Sequence, residues 1–137
     1  LDAFAAAPQL SITSKACPLF VEFVESGKTS GDEITKIAQD YLSTMKQAQI
    51  DTLVLGCTHY PLLTGVISYV MGNDVTLVSS AEETAKDLYR TLVEAGLLND
   101  QVRPVSHRFV ATADPDKFAT LAKRFLGPEV LAVSNKI

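Results

Sequence analysis

Cys57, Thr58 and His59 stand in one row, preceded by the apolar run Leu53-Val54-Leu55 and Gly56 and followed by Tyr60 and Pro61. A thiol, a hydroxyl and an imidazole within three residues form a dense set of reactive groups. A free thiol titrates near about 8.5, and only its thiolate is a strong base or nucleophile. An imidazole titrates near neutral pH and passes a proton in either direction. Together they suit two kinds of chemistry. One is removal of a proton next to a carboxylate, and the other is attack of the thiolate on a carbonyl.

Such a set needs elements that hold it. Leu53 to Leu55 is continuously apolar, the pattern of a central parallel strand buried on both faces. Pro61 fits the first turn of a following helix, where its missing N–H costs nothing. In an open α/β sheet, ligands bind beyond the carboxyl ends of the strands, which is where Cys57 falls. The start of that helix would favour a thiolate at Cys57 and offer N–H groups to a substrate carboxylate, with the Thr58 hydroxyl as a further donor. The helix is expected to run to about Val70 and stop near Gly72, and Val75 to Val78 reads as a second buried strand.

The remaining chain alternates in the same way. Leu10 to Lys15 could form a short strand, and the apolar stretch from Cys17 continues through Glu25 to a stop at Ser26-Gly27. Ile34, Ile37, Ala38, Tyr41, Leu42 and Met45 recur at helical spacing and form one buried stripe, with Ser30 or Asp32 as its cap. Ser80 and Glu83 read as a capping box, and the helix they open carries Thr84, Leu88, Leu92 and Ala95 to Gly96. Arg108 to Ala111 begins a third strand. Asp114-Pro115 caps a helix whose apolar face is Phe118, Leu121, Ala122 and Phe125 and whose end is Gly127. Val130 to Val133 is a final strand. Strands alternating with helices predict an α/β fold with a largely parallel sheet.

Composition removes several classes. The 137 residues are 47% hydrophobic and 20% charged, with net charge −4. Lys and Arg are scattered, so no nucleic-acid partner is expected. No apolar run approaches the roughly 18 residues of a membrane span, and no membrane association is expected. Two cysteines make a disulfide framework improbable and fit a reducing cytoplasm. A zinc site from Cys57, His59, Cys17 and His107 lacks the usual Cys-x-x-Cys spacing, so no metal is expected. His107 reads as a surface residue and Cys17 as core. No dinucleotide or P-loop motif occurs. The chain opens on Leu1-Asp2-Ala3-Phe4 without Met, and its first ten residues look like the end of a helix, so it is expected to be part of something longer.

The run 55–63, Leu-Gly-Cys-Thr-His-Tyr-Pro-Leu-Leu, resembles the second cysteine motif of bacterial glutamate racemases. Ala16-Cys17-Pro18-Leu19-Phe20-Val21 with Glu25-Ser26-Gly27 resembles another segment of that family, at the right distance upstream. Thr112-Ala113-Asp114-Pro115 through Phe125-Leu126-Gly127 resembles the family's C-terminus. The resemblance covers nearly the whole chain.

It implies a flavodoxin-like fold of two similar α/β domains, here present only in part, with residues 1–78 in the second domain and residues 79–137 returning to the first. It implies interconversion of L- and D-glutamate without a cofactor, D-glutamate going to peptidoglycan. Two cysteines act on opposite faces of the substrate α-carbon. By resemblance, Cys57 acts on L-glutamate with His59 assisting, Thr58 binds the α-carboxylate or amino group, and Glu25 lies near the substrate amine. The complete enzyme would be a cytoplasmic homodimer. Two departures stand out. The other family cysteine, in an Ala-Cys-Asn-Thr-type motif, is absent, as is an Asp-Ser-Gly motif that contacts substrate. Ser79-Ser80 replaces a common Asp-Ser. One rival reading is a thiol-dependent hydrolase or lyase with Cys57 as nucleophile and His59 as base. The other is a binding module on the same scaffold.

Overall fold

The computed structural model describes residues 7, 9–99, 104, 106–112, 114–130 and 133–134. Pro18 at the first helical position opens helix α1 (Pro18–Ser26), and Gly27 closes it in the left-handed conformation (φ 79°), its N–H returning to the carbonyls of Phe23 and Val24. Helix α2 (Asp32–Gln47) buries Ile34, Ala38, Leu42 and Met45, the stripe its spacing predicts. Strand β1 (Thr52–Leu55) leads into a 3₁₀ turn (Tyr60–Leu63), helix α3 (Thr64–Met71) and strand β2 (Thr76–Ser79). Helix α4 (Ser80–Glu94), strand β3 (Phe109–Val110), helix α5 (Pro115–Leu126) and strand β4 (Val133–Ser134) follow.

Both strand pairs are parallel, as the alternation predicts. β1 pairs with β2 in the register Thr52↔Thr76 to Leu55↔Ser79, a β-α-β unit with α3 as its crossover. β3 pairs with β4, Phe109 opposite Val133 and Val110 opposite Ser134. The core lies where α1, α2 and α3 meet one face of β1 and β2. Phe20, Val24, Ile34, Leu63 and Ile67 are fully buried there. Phe20 presents its face or edge at right angles to Tyr41 (5.3 Å) and Tyr60 (5.5 Å), the edge-to-face geometry aromatic rings prefer.

Several expectations need correction. Residues 10–16 form no strand, and Leu10 and Ile12 are about half exposed there. β1 is not buried on both faces: Leu53 and Leu55 point into the core, but Val54 is 55% exposed on the other side. β2 is likewise only partly covered. Neither Ser30 nor Asp32 caps α2. Gly31 does, at φ 103°, a conformation costly for either side chain. The helix after Pro61 begins as a 3₁₀ turn and becomes α-helical only at Thr64.

At α4 the capping serine is Ser79, whose Oγ accepts from the Glu82 N–H at 3.3 Å. Ser80 is already the first helical residue, with its side chain turned to the Leu55 carbonyl, to which it donates at 2.8 Å, and Glu83 pairs with Lys86 instead of reaching back. The helix buries none of its side chains, leaving Leu88 and Tyr89 exposed. At α5 the expected cap holds: Asp114 accepts from the N–H groups of Asp116 and Lys117. The last strand starts at Val133, while Val130 is buried just after a short 3₁₀ turn and the expected strand residues 131 and 132 lie outside the described residues. Ala113 and the opening residues 1–4 lie outside them as well.

Candidate active site at the end of β1

β1 ends at Leu55, and the chain turns at Gly56, whose N–H bonds back to the Val54 carbonyl at 3.1 Å. The Ser80–Leu55 hydrogen bond ties this end of β1 to the start of α4, so the carboxyl ends of both strands are fixed side by side. Cys57 emerges half-buried at that edge. The Tyr60 N–H closes the turn on the Cys57 carbonyl (3.3 Å), and Leu62 closes the next on His59 (3.1 Å). The turn therefore has its own backbone hydrogen bonds, which fix the directions of Cys57, Thr58 and His59.

The imidazole of His59 is the hub. Its Nδ1 lies 4.0 Å from Cys57 Sγ and 3.3 Å from Thr58 Oγ1, and its Nε2 lies 3.3 Å from Glu25 Oε1. Glu25 belongs to the last turn of α1, which packs against the Tyr60–Leu63 turn. A carboxylate only accepts, so in the neutral ring Nε2 carries the proton toward Glu25, leaving Nδ1 bare to face the thiol. At 4.0 Å the sulfur contact is long for a hydrogen bond. Thus all four residues singled out in the sequence, Cys57, Thr58, His59 and Glu25, come together. The carboxylate is 47% exposed and the imidazole 23%. A pair this open adds no more than about 1 kcal/mol to stability, so its value is orientation.

Cys17 stays outside this set. Its thiol is buried and directed at the Lys15 carbonyl (3.7 Å), while its own carbonyl accepts from the Tyr60 hydroxyl at 3.2 Å. Burial pushes its pKa above the ordinary thiol range, against a smaller opposing effect of Lys15. It is a neutral packing group, as its sequence context predicts. His107 is exposed, also as expected.

Two residues of α5 that sequence reasoning did not assign to the site also reach it. The Phe125 ring meets His59 edge-on at 5.4 Å. The Arg124 guanidinium donates from Nη1 to the carbonyls of Val24 (2.9 Å) and Glu25, the last turn of α1. The only available sequence signal was indirect: α1 carries Glu25 and no basic residue in its last turn.

No family model matches the chain. The chain is 58% identical over 134 residues to the glutamate racemase of Parafrankia sp., covering 97% of this chain and 49% of that protein. It is 60% identical over 145 residues to the glutamate racemase of Beutenbergia cavernae, covering 99% and 50%. Among solved structures, glutamate racemase isoform RacE1 from Bacillus anthracis superimposes with TM-score 0.84 at 36% identity, over 98% of this chain and 49% of that one. Glutamate racemase from Francisella tularensis in complex with D-glutamate does so with TM-score 0.84 at 33% identity, over 96% and 49%. The chain spans about half the length of the curated relatives it matches, and the match is to their C-terminal part. The fold is accordingly a partial flavodoxin-like racemase fold. These relatives lend no support to the hydrolase or lyase reading.

Proposed function

We propose that this chain, homologous to the C-terminal part of glutamate racemases, supplies one side of a cofactor-independent site that interconverts L- and D-glutamate. Inverting a carbon acid in one pocket requires a base on one face of the α-carbon and a proton donor on the other. Cys57 is the base toward L-glutamate. His59 Nδ1 takes the thiol proton, with Glu25 holding the ring by Nε2. The thiolate then takes the α-proton of L-glutamate and the opposing thiol delivers a proton to the other face. In the reverse turnover Cys57 gives its proton to the α-carbon and His59 returns its own to the thiolate left behind. Thr58 binds the α-carboxylate or amino group, and Glu25 also faces the substrate amine. The opposing thiol is supplied by the part of the protein that the relatives have beyond this match.

The observation that carries the reading is the Cys57–His59–Glu25 row at the carboxyl end of β1, in a chain 58% identical to a glutamate racemase. The proposed division, residues 1–78 in one domain and 79–137 in the other, is supported by the separate β1–β2 and β3–β4 sheets, with Ser79 ending one sheet and capping α4. The whole enzyme is proposed to be a cytoplasmic homodimer serving cell-wall precursor supply. Among the described residues no helix is long and apolar enough to cross a membrane.

The test is glutamate racemisation by the full-length protein, followed polarimetrically from each enantiomer. Turnover in both directions is expected, with Cys57→Ser reducing it by about a thousandfold or more. Undiminished turnover in Cys57→Ser would contradict the assignment.

A further inference from the structure

The Glu25–His59 pair is gripped from outside by two consecutive residues of α5. Arg124 holds the backbone carbonyls of Val24 and Glu25, and Phe125 packs edge-on against the His59 ring at 5.4 Å and 85°. Glu25 and Arg124 are 99 residues apart in the chain. The contact therefore joins the helix that flanks β3 and β4 to the site at the end of β1.

The last turn of α1 is a poor place for a carboxylate. The helix carbonyls put a partial negative charge there, which disfavours another anion. α1 carries no basic residue in its last turn to offset it, and the guanidinium of Arg124 occupies that position from α5. Gly27 leaves room for the approach. A Cβ at Gly27 would lie 3.0 Å from Cζ and both terminal nitrogens of Arg124, and at φ +79° a side chain would be strained as well. One glycine thus ends the helix and clears the space in which the arginine fits.

We infer that Arg124 is a positioning residue. It fixes the C-terminal turn of α1 so that the Glu25 carboxylate meets His59 Nε2, and through that pair it sets which imidazole nitrogen faces Cys57. Phe125 limits the swing of the ring. The hydrogen bonds of Arg124 go to the Val24 and Glu25 carbonyls, so its effect on His59 runs through the last turn of α1. The catalytic consequence rests on the racemase reading above, whereas the effect on His59 does not.

The experiment is a double-mutant cycle in the full-length protein, read by racemisation kinetics and by the His59 imidazole ¹⁵N resonances. Arg124→Gln is expected to lower kcat/KM by about tenfold to a hundredfold, the scale of a misplaced catalytic group. In a Glu25→Gln background the same change should have little further effect, because the path is already cut. The His59 resonances should move in Arg124→Gln in the direction they move in Glu25→Gln. Should Arg124→Gln fail to fold, Arg124→Lys keeps the charge without the planar fork and should give a smaller shift of the same sign. Equal losses in both backgrounds, or His59 signals unmoved by either arginine variant, would overturn the inference. If the unmodified protein does not racemise glutamate, the functional reading falls, and the ¹⁵N shifts still decide the role of Arg124.

Discussion

The half of the chain built on β1 and β2 and the half built on β3 and β4 use the same elements to different ends. In the first, α1, α2 and α3 close over one sheet face and bury Phe20, Ile34 and Ile67 completely. In the second, the buried side chains among the described residues are Ala111, Ala122 and Val130, and α4 buries nothing. The first half holds the reactive row Cys57, His59 and Glu25. The second reaches that row through Arg124 and Phe125. The difference separates two requirements of a site. Reactive groups are placed by a well-packed core, and their orientation is then adjusted by a helix that need not be deeply buried itself.

The largest expected effect isolates chemistry from packing. Cys57→Ser should cost about a thousandfold in kcat, equivalent to about 4 kcal/mol of barrier, with unfolding free energy changed by less than about 0.5 kcal/mol. Kinetics and urea denaturation on the same preparation check both. A stability loss matching the activity loss would make Cys57 a core residue instead. Next, Phe20→Ala should destabilise the protein by about 3–5 kcal/mol, since a large ring packed against Tyr41 and Tyr60 leaves a cavity. Leu88→Ala in α4, whose side chain is 58% exposed, should stay within about 0.5 kcal/mol by the same measurement. If the two losses came out equal, the contrast between the halves would fail.

The same contrast predicts association. Val54 and the α4 residues Leu88 and Tyr89 leave apolar surface open, so residues 1–137 alone should self-associate in light scattering and form no D-glutamate. A sharp monomer that unfolds cooperatively would contradict this.

The smallest effect concerns pH. Burial raises the pKa of both the Cys17 thiol and the Tyr60 hydroxyl. The folded state then holds these protons more tightly than the unfolded chain. The stability they contribute is fully present below their ordinary values, about 8.5 and 10, and is lost as pH rises through the raised ones. Thermal melts between pH 8 and pH 11 should therefore fall more steeply in the unmodified protein than in Cys17→Ala/Tyr60→Phe. Parallel slopes would remove these groups from the account.

Much of this was legible in the residues. The α2 stripe, the Asp114 cap, the parallel pairing and the cluster around Cys57 follow from spacing and local chemistry. Sidedness was harder to see. Leu53-Val54-Leu55 reads as buried throughout, yet alternation leaves Val54 outside because only one face of β1 is covered. The choice between Ser79 and Ser80 as cap was also hidden, since the helix starts one residue earlier than the Ser-x-x-Glu pattern suggests and the Ser80 side chain is turned to the Leu55 carbonyl. Glu25 was readable only by resemblance, and Arg124 not at all. An arginine on an amphipathic helix looks like any solvated charge until the fold brings another helix end to it.

The most direct test of the central claim, that Cys57 is the base on one face of the substrate, is α-proton exchange in heavy water with full-length Cys57→Ser, followed by NMR for L- and D-glutamate separately. The account predicts that exchange from L-glutamate is lost while the opposing base still exchanges the proton of D-glutamate. Exchange from L-glutamate at the unmodified rate would show that Cys57 is not that base.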